Sequence, residues 1–212
     1  MSARRLSLRL GATALLIGAA FAASTASASA GILVASSPSC DDQAVSKVFT
    51  RWHDYAYYTP LPGGDFESAA DGWSMTGGAT TASGNSPFHV GRPDDATSLS
   101  LPAGSSATSA PICVGIDHPT FRFFAKRRTG TWLSLPMLRV DVLFQDSQGA
   151  VNSLAVGFVL SDGSWQPTSP IPVVANLLTL FPGENTAVRF RFTAKDEAWS
   201  VDDVWVDPYH RR

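Results

Sequence analysis

The sequence predicts an all-β protein, an antiparallel sandwich or barrel, on three observations. Apolar and polar residues alternate in "LRVDVLFQD", where Leu138, Val140, Val142 and Phe144 share one face, and again in "TAVRFRFTA", where Val188, Phe190 and Phe192 oppose Arg189, Arg191 and Thr193. A period of two over such lengths marks strands with one buried face. Turn sequences recur at short intervals, "DSQG" at Asp146 to Gly149, "SDGS" at Ser161 to Ser164 and "FPGEN" at Phe181 to Asn185. With 17 Gly and 14 Pro along the chain, no helical stretch of the dozen residues needed between parallel strands is visible.

The chain opens with Arg4, Arg5 and Arg9, then the apolar run "LGATALLIGAAFAA" and the small-residue end "STASASA". Residues 1–30 therefore have the three parts of a secretory signal, with cleavage after Ala30. The remaining length fits one domain with a core of its own. Residues 31–59 form an N-terminal extension and residues 60–212 the sandwich domain. Export favours a disulfide, and with two cysteines, Cys40 and Cys113, only one pairing exists. That bond ties the extension to the body. In "CDDQAVSKVFTRWHDYAYYTPLP" the spacing of Val45, Phe49 and Trp52 predicts a short helical turn, followed by a strand.

"GGDFESAADGWSMTGG", Gly63 to Gly78, predicts an opening strand in which Asp65 and Glu67 point one way and Phe66 joins the core. Residues 79–111, rich in small side chains, predict long loops around one short strand centred on Leu99 and Leu101. Lys126, Arg127 and Arg128 read as a solvated strand end. The closing strand, "AWSVDDVWVDP", carries Asp202 and Asp203 side by side, so regular alternation aims one aspartate inward.

The formal net charge of −2 provides no basic surface for nucleic acid. No Gly-x-Ser-x-Gly, Walker loop or dinucleotide fingerprint occurs, and His53, His89, His118 and His210 lie apart without metal-ligand spacing. A glycosidase would require two carboxylates facing across a cleft, and no sequence spacing marks such a pair. The acids Asp65, Glu67, Asp202 and Asp203 have two readings. They ligate a calcium ion, which takes hard oxygens from carboxylates and carbonyls, or they bond Arg189, Arg191 or nearby backbone amides.

"GGDFESAADGWSMTGGA", "SLSLP" and "WSVDDVWVDP" resemble the jelly-roll modules of the galactose-binding-like superfamily, especially carbohydrate-binding modules of the family 4/9/22 type. The mature chain as a whole is also similar to a set of secreted actinobacterial proteins, which brings no activity with it. The resemblance implies a two-sheet antiparallel β-sandwich of jelly-roll topology with eight to ten strands, its first and last strands adjacent. It also implies a structural calcium on Glu67 and on one or both of Asp202 and Asp203, with Asp65 beside them, and a core place for Trp73. Aromatics stack on sugar rings in such modules, which makes Trp132, Trp165 and Trp205 the ligand-binding candidates, although each also suits sandwich packing.

The expectation is a secreted, non-catalytic sandwich that binds a glycan or the cell envelope, its partner a polysaccharide or cell-surface glycan, with no nucleic acid and no membrane span in the mature chain. The alternative is a structural or protein-interaction sandwich of the envelope with no sugar ligand.

Overall fold

The computed structural model describes residues 33–37, 40, 43–68, 70–130, 137–181 and 183–208. The expected signal segment lies outside these residues, and so does Trp132. The described strands are β1 (Thr59–Pro60), β2 (Ser74–Thr76), β3 (Thr80–Ser83), β4 (Thr97–Leu101), β5 (Ser106–Thr108), β6 (Ile112–Gly115), β7 (Thr120–Arg127), β8 (Leu138–Gln145), β9 (Val151–Val159), β10 (Gln166–Pro167), β11 (Ile171–Pro172), β12 (Asn185–Ala194) and β13 (Trp199–Asp207). Single 3-10 turns at Thr50–Trp52 and Ala175–Leu178 interrupt them.

The strands build two antiparallel sheets. A seven-stranded sheet runs β10-β7-β13-β4-β3, with β1 paired to β13 and β11 to β7. A six-stranded sheet runs β2-β5-β12-β8-β9, with β6 also on β12. Between them lies one apolar core. From β8 it takes Leu138, Val140 and Val142, from β12 Val188, Phe190 and Phe192, from β7 Phe121 and Phe123, and from β13 Trp199, Val201, Val204 and Val206. The alternation read in β8 and β12 is the alternation of these inward residues. Among the described residues no helix is long and apolar enough to cross a membrane.

Three local expectations change. Residues 63–68 lie in turns and not in a strand, because Gly63 and Phe66 take left-handed φ values of 63° and 59°. Phe66 still reaches the core, 1% exposed, and stacks edge-on against Trp73 at 4.9 Å. Trp73 in turn stacks on Phe192 at 5.9 Å and donates its indole N–H to Pro62 O at 3.0 Å. The strand beside β13 is β1, just upstream, with Thr59 opposite Val206. Residues 79–111 hold three strands, β3, β4 and β5, where one was expected. Their Ser, Thr and Ala side chains pair across the ladders without the bulky alternation that announces a strand.

The third change concerns Asp202 and Asp203. Asp202 pairs with Phe124 and Trp205 with Arg122, so Asp203 and Val204 together oppose Phe123 in a β-bulge, with Asp203 at φ 50°. A bulge shifts the phase of alternation by one residue. Val201 and Val204 both point into the core, and both aspartates leave it: Asp202 Oδ2 accepts from Ser86 N at 2.8 Å and Asp203 Oδ2 from Ser86 Oγ at 3.4 Å. Neither carboxylate enters the apolar interior.

The outer face of the seven-stranded sheet is covered. Phe49, Ala56 and Tyr58 of the N-terminal segment pack on Phe124 and Trp205, with Trp52, Phe88, Val90 and Trp165 around them, as a second apolar cluster. Cys40 and Cys113 form the expected disulfide. Arg122, on the same outer face, donates from Nη1 to Asp54 Oδ2 at 2.8 Å and from Nε to Thr168 O at 2.8 Å. Burial alone would raise the Asp54 carboxyl, but hydrogen bonds from the Tyr58 hydroxyl and Ala56 amide, together with Arg122, hold it below its ordinary range.

Candidate functional site

The outer face of the six-stranded sheet is open. Apart from Asp141 its side chains stay exposed or half-buried, and the pairing registers set them in rows across five strands. One row runs Thr76, Ser106, Thr193, Arg139 and Phe158; the next runs Ser74, Thr108, Arg191, Asp141 and Ala155. Five strands at the usual spacing make each row about 19 Å long.

Charge on this face is internally matched. Asp141, 1% exposed, accepts from Arg139 Nε at 2.9 Å and from Arg139 Nη2 at 2.6 Å. Arg191 Nη2 stands 3.4 Å from the other carboxylate oxygen and donates to Ser153 Oγ at 3.0 Å. Two guanidinium groups are thereby held by one buried carboxylate, and both stay partly exposed with further N–H donors.

Phe158 completes the row through a second bulge. Val140 pairs with Gly157 and Asp141 with Ala155, which leaves Val156 as the extra residue of β9. Without that insertion Gly157 would face outward. With it, Phe158 does, 55% exposed, while Gly157 turns to the interior, where an added Cβ would stand 3.1 Å from Ile171 Cγ2.

The four acids expected to hold calcium do not meet at one point. Glu67 Oε1 accepts from Ala96 N, Thr97 N and Thr97 Oγ1 at 2.8, 2.7 and 2.9 Å, which clamps the loop before β4. Burial would raise its carboxyl, yet these donors hold it below the ordinary range. Asp65 Oδ1 accepts from Glu67 N at 3.4 Å, and the two Asp202 oxygens accept from Ser86 N and Asp203 N. Among the described residues, no three His, Cys, Asp or Glu side chains form a group that could hold a metal ion.

A pair of carboxylates does converge, and one of its members, Asp95, is not among the acids expected to hold calcium. An added Cβ on Gly91 would lie 3.1 Å from Asp203 Oδ1 and 3.2 Å from Asp95 Oδ2, and Asp95 Oδ1 is buried without a hydrogen-bond partner. Burial first, then the neighbouring Asp203 charge, pushes Asp202 up to about 8; burial first, then Asp95, pushes Asp203 up to about 7. Asp95 Oδ2 also accepts from Arg92 N at 3.0 Å, and the two carboxylates bring hard oxygens to one small space, of the kind a calcium ion takes together with carbonyls and water. The chemistry thus fits Asp95 and Asp203, with Glu67 and Asp202 serving the loop instead.

Of the tryptophans, Trp165 is half-buried beside the second apolar cluster and Trp205 is 7% exposed within it. Neither is an exposed platform. Residues Arg139, Asp141, Arg191 and Phe158 were not singled out as a site from the sequence; the signal present was only the polar phase of two alternating strands.

Taken together, the sheets and their registers settle the architecture. The chain is an all-β, two-sheet antiparallel sandwich. Comparison with solved structures finds sandwiches of this kind among carbohydrate-binding modules. One is the N-terminal modules of endo-1,4-β-D-xylanase 10B from Clostridium thermocellum with xylohexaose, at 17% identity over 68% of this chain and 27% of that one, TM-score 0.46. A second is a xylan-binding domain of carbohydrate-binding family 22, at 15% identity over 73% and 96%, TM-score 0.42. A cleaved adhesin domain of Lys-gingipain from Porphyromonas gingivalis is similar at 12% identity over 68% and 95%, TM-score 0.40. The chain spans about a quarter of the xylanase structure, and at these identities the similarity concerns the sandwich alone. No protein-family model and no curated protein matches the chain.

Proposed function

We propose that the protein is an exported, non-catalytic glycan-binding sandwich that lays a polysaccharide across the open face of its six-stranded sheet. The observation that carries this reading is the row from Thr76 to Phe158, in which hydroxyls and a planar, pre-oriented guanidinium lead to an outward aromatic ring. Sugar rings present an apolar face to such a ring and hydroxyls to such donors. A row of about 19 Å is long enough to meet several consecutive sugar rings and not one alone. Asp141 supports the non-catalytic part, since it lies under two arginines and not at the surface. Export is supported by the disulfide, which persists in oxidising compartments.

The test is retention of the oxidised protein on insoluble xylan, cellulose, chitin and peptidoglycan, alongside Phe158→Ala. Retention on one of them should fall about ten-fold in the variant, while the melting temperature stays within about 2 °C because the ring is mostly exposed. Equal retention of the variant, or no retention of well-folded wild type on any glycan, contradicts the proposal and moves the protein to the protein-interaction alternative.

Calcium is proposed here as a structural ion on Asp95 and Asp203. Because the folded-state values of Asp202 and Asp203 are raised, the ion-free fold gains stability from bound protons, in full below about pH 4, and loses it as pH rises through about 7 to 8. Melting of chelated protein should therefore occur at lower temperature at pH 8 than at pH 5. Added calcium should raise it at pH 8, since an ion held only by the folded state stabilises by mass action. No response to calcium at pH 8 contradicts the ion.

A further inference from the structure

Four strands end the two sheets, and three of them are blunted. β2, β3 and β10 hold only three, four and two residues. β10 and β11, which pair with the same strand β7, carry Pro167 and Pro172, and a proline has no N–H to give to a ladder. Short strands and edge prolines are the usual means of keeping one sheet from pairing with another. The fourth end, β9, has neither. It runs nine residues at the end of the six-stranded sheet, and "VNSLAVGFVL", Val151 to Leu160, contains no charged residue and no proline.

The far side of β9 is open. Beyond its ladder with β8, no backbone hydrogen bond to a described residue engages Val151–Val159. Val151 is 65% exposed and Leu160 63%, with Leu154 between them at 37%, so apolar side chains and unpaired main-chain groups share one edge. Its one irregularity is the bulge at Val156, which leaves Val151–Ala155 in regular register with β8.

The occupant follows from what the edge lacks and from its own sequence. A row of ladder donors and acceptors is completed by another extended strand. Without charge on β9, no partner of opposite charge is selected. The strand instead matches itself. Antiparallel pairing about a two-fold axis near Ala155 sets Val151 of each copy beside Leu160 of the other, with the small residues Ser153, Ala155 and Gly157 in the middle. Two-fold contacts of this self-complementary kind are the commonest among homo-oligomers. We infer that two copies of this chain associate through β9 and join their six-stranded sheets into one. The edge is about 31 Å long and about 20 Å wide, two sheets about 10 Å apart plus their outer side chains. The resulting contact of about 600 Å² per copy is smaller than the roughly 800 Å² of a standard interface, so the dimer forms and dissociates with concentration. The added strands lie beside the open face and not over it, so the inference stands apart from the glycan reading.

Sedimentation equilibrium of the oxidised protein, from about 1 to about 200 µM and without glycan, tests it. The average mass should climb from the monomer value toward twice that value. The double variant Val151→Lys, Leu160→Lys should dimerise at least about ten-fold more weakly, because like charges then meet at both ends of the contact. Val151→Glu, Leu160→Glu should behave alike, whereas an equimolar mixture of the two variants should dimerise again, which a loss of folding would not allow. Ala155→Cys supplies a second measurement if the charged variants fold poorly. It adds a lone thiol to a chain without free cysteine and should yield a disulfide-linked dimer on oxidation, whereas Leu177→Cys, equally accessible at 63% exposure, should not. A wild-type mass that stays at the monomer value up to about 200 µM overturns the inference. So do undiminished dimerisation of the lysine variant, a mixture that restores nothing, or equal cross-linking at Leu177→Cys.

Discussion

Replacing both Cys40 and Cys113 by serine should lower the stability by about 4 kcal/mol on the chain-entropy account of a closed loop, given the sequence separation of 73 between the bonded residues. For a domain of this size that corresponds to roughly 8 to 16 °C in melting temperature. The loss arises in the unfolded chain, which gains freedom once the link is absent. The native contacts of Phe49 and Tyr58 with Phe124 persist in the folded protein, so the near-ultraviolet spectrum of the variant at low temperature should remain that of wild type. A loss under about 1 kcal/mol would show that the unfolded chain is already restricted in this region.

Asp54→Ala should cost about 3 kcal/mol, and the expectation rests on what it leaves behind. Arg122 is 6% exposed, with its guanidinium 4.3 Å from the Phe49 ring centre and Nη1 on Asp54 at 2.8 Å. Removing the carboxylate strands a buried cation and also releases the Tyr58 hydroxyl, which donates to Asp54 at 2.7 Å. Breaking a buried pair on one side costs about 3 to 5 kcal/mol, and the partial exposure of Asp54 places this case at the low end. The double variant Asp54→Ala, Arg122→Met should recover most of the loss, because the uncompensated charge is then gone. Chemical denaturation of the four proteins measures the cycle; a single-variant loss below about 1 kcal/mol would mean that the aromatic cluster alone holds the N-terminal segment.

What was legible in the sequence follows burial. β8 and β12 bury one face each, so their side chains alternate and their strands could be read directly. β13 is buried on both faces, by the core and by the N-terminal segment, and its alternation is erased; the bulge at Asp203 leaves no trace because a left-handed aspartate looks like any other in a string of letters. The second apolar cluster joins Phe49, Phe124 and Trp205 from three distant stretches, and no local periodicity encodes such a meeting. Glu67 reads from the sequence as a calcium ligand beside the last strand, whereas its hydrogen bonds to Ala96 and Thr97 depend on a loop whose path only the fold defines. Asp95, the acid that does face Asp203, sits in a polar run with nothing to distinguish it from Asp94, which is paired on the surface with Arg92 at 3.0 Å. The open face was half visible: the arginines of β12 were read as the polar phase of a strand, but their partners on β8 and β9 are set by register and by the bulge that turns Phe158 outward.

Chemical-shift mapping tests most directly whether the open face of the six-stranded sheet is the glycan site. Backbone amides and arginine Nε–H groups are followed while a soluble oligosaccharide of the retained polysaccharide is added. The largest saturable changes should fall on Arg139, Arg191, Thr193 and Phe158, in adjacent positions of the same rows. Changes confined to the covered face of the seven-stranded sheet, or no change while the polysaccharide still retains the protein, would contradict it.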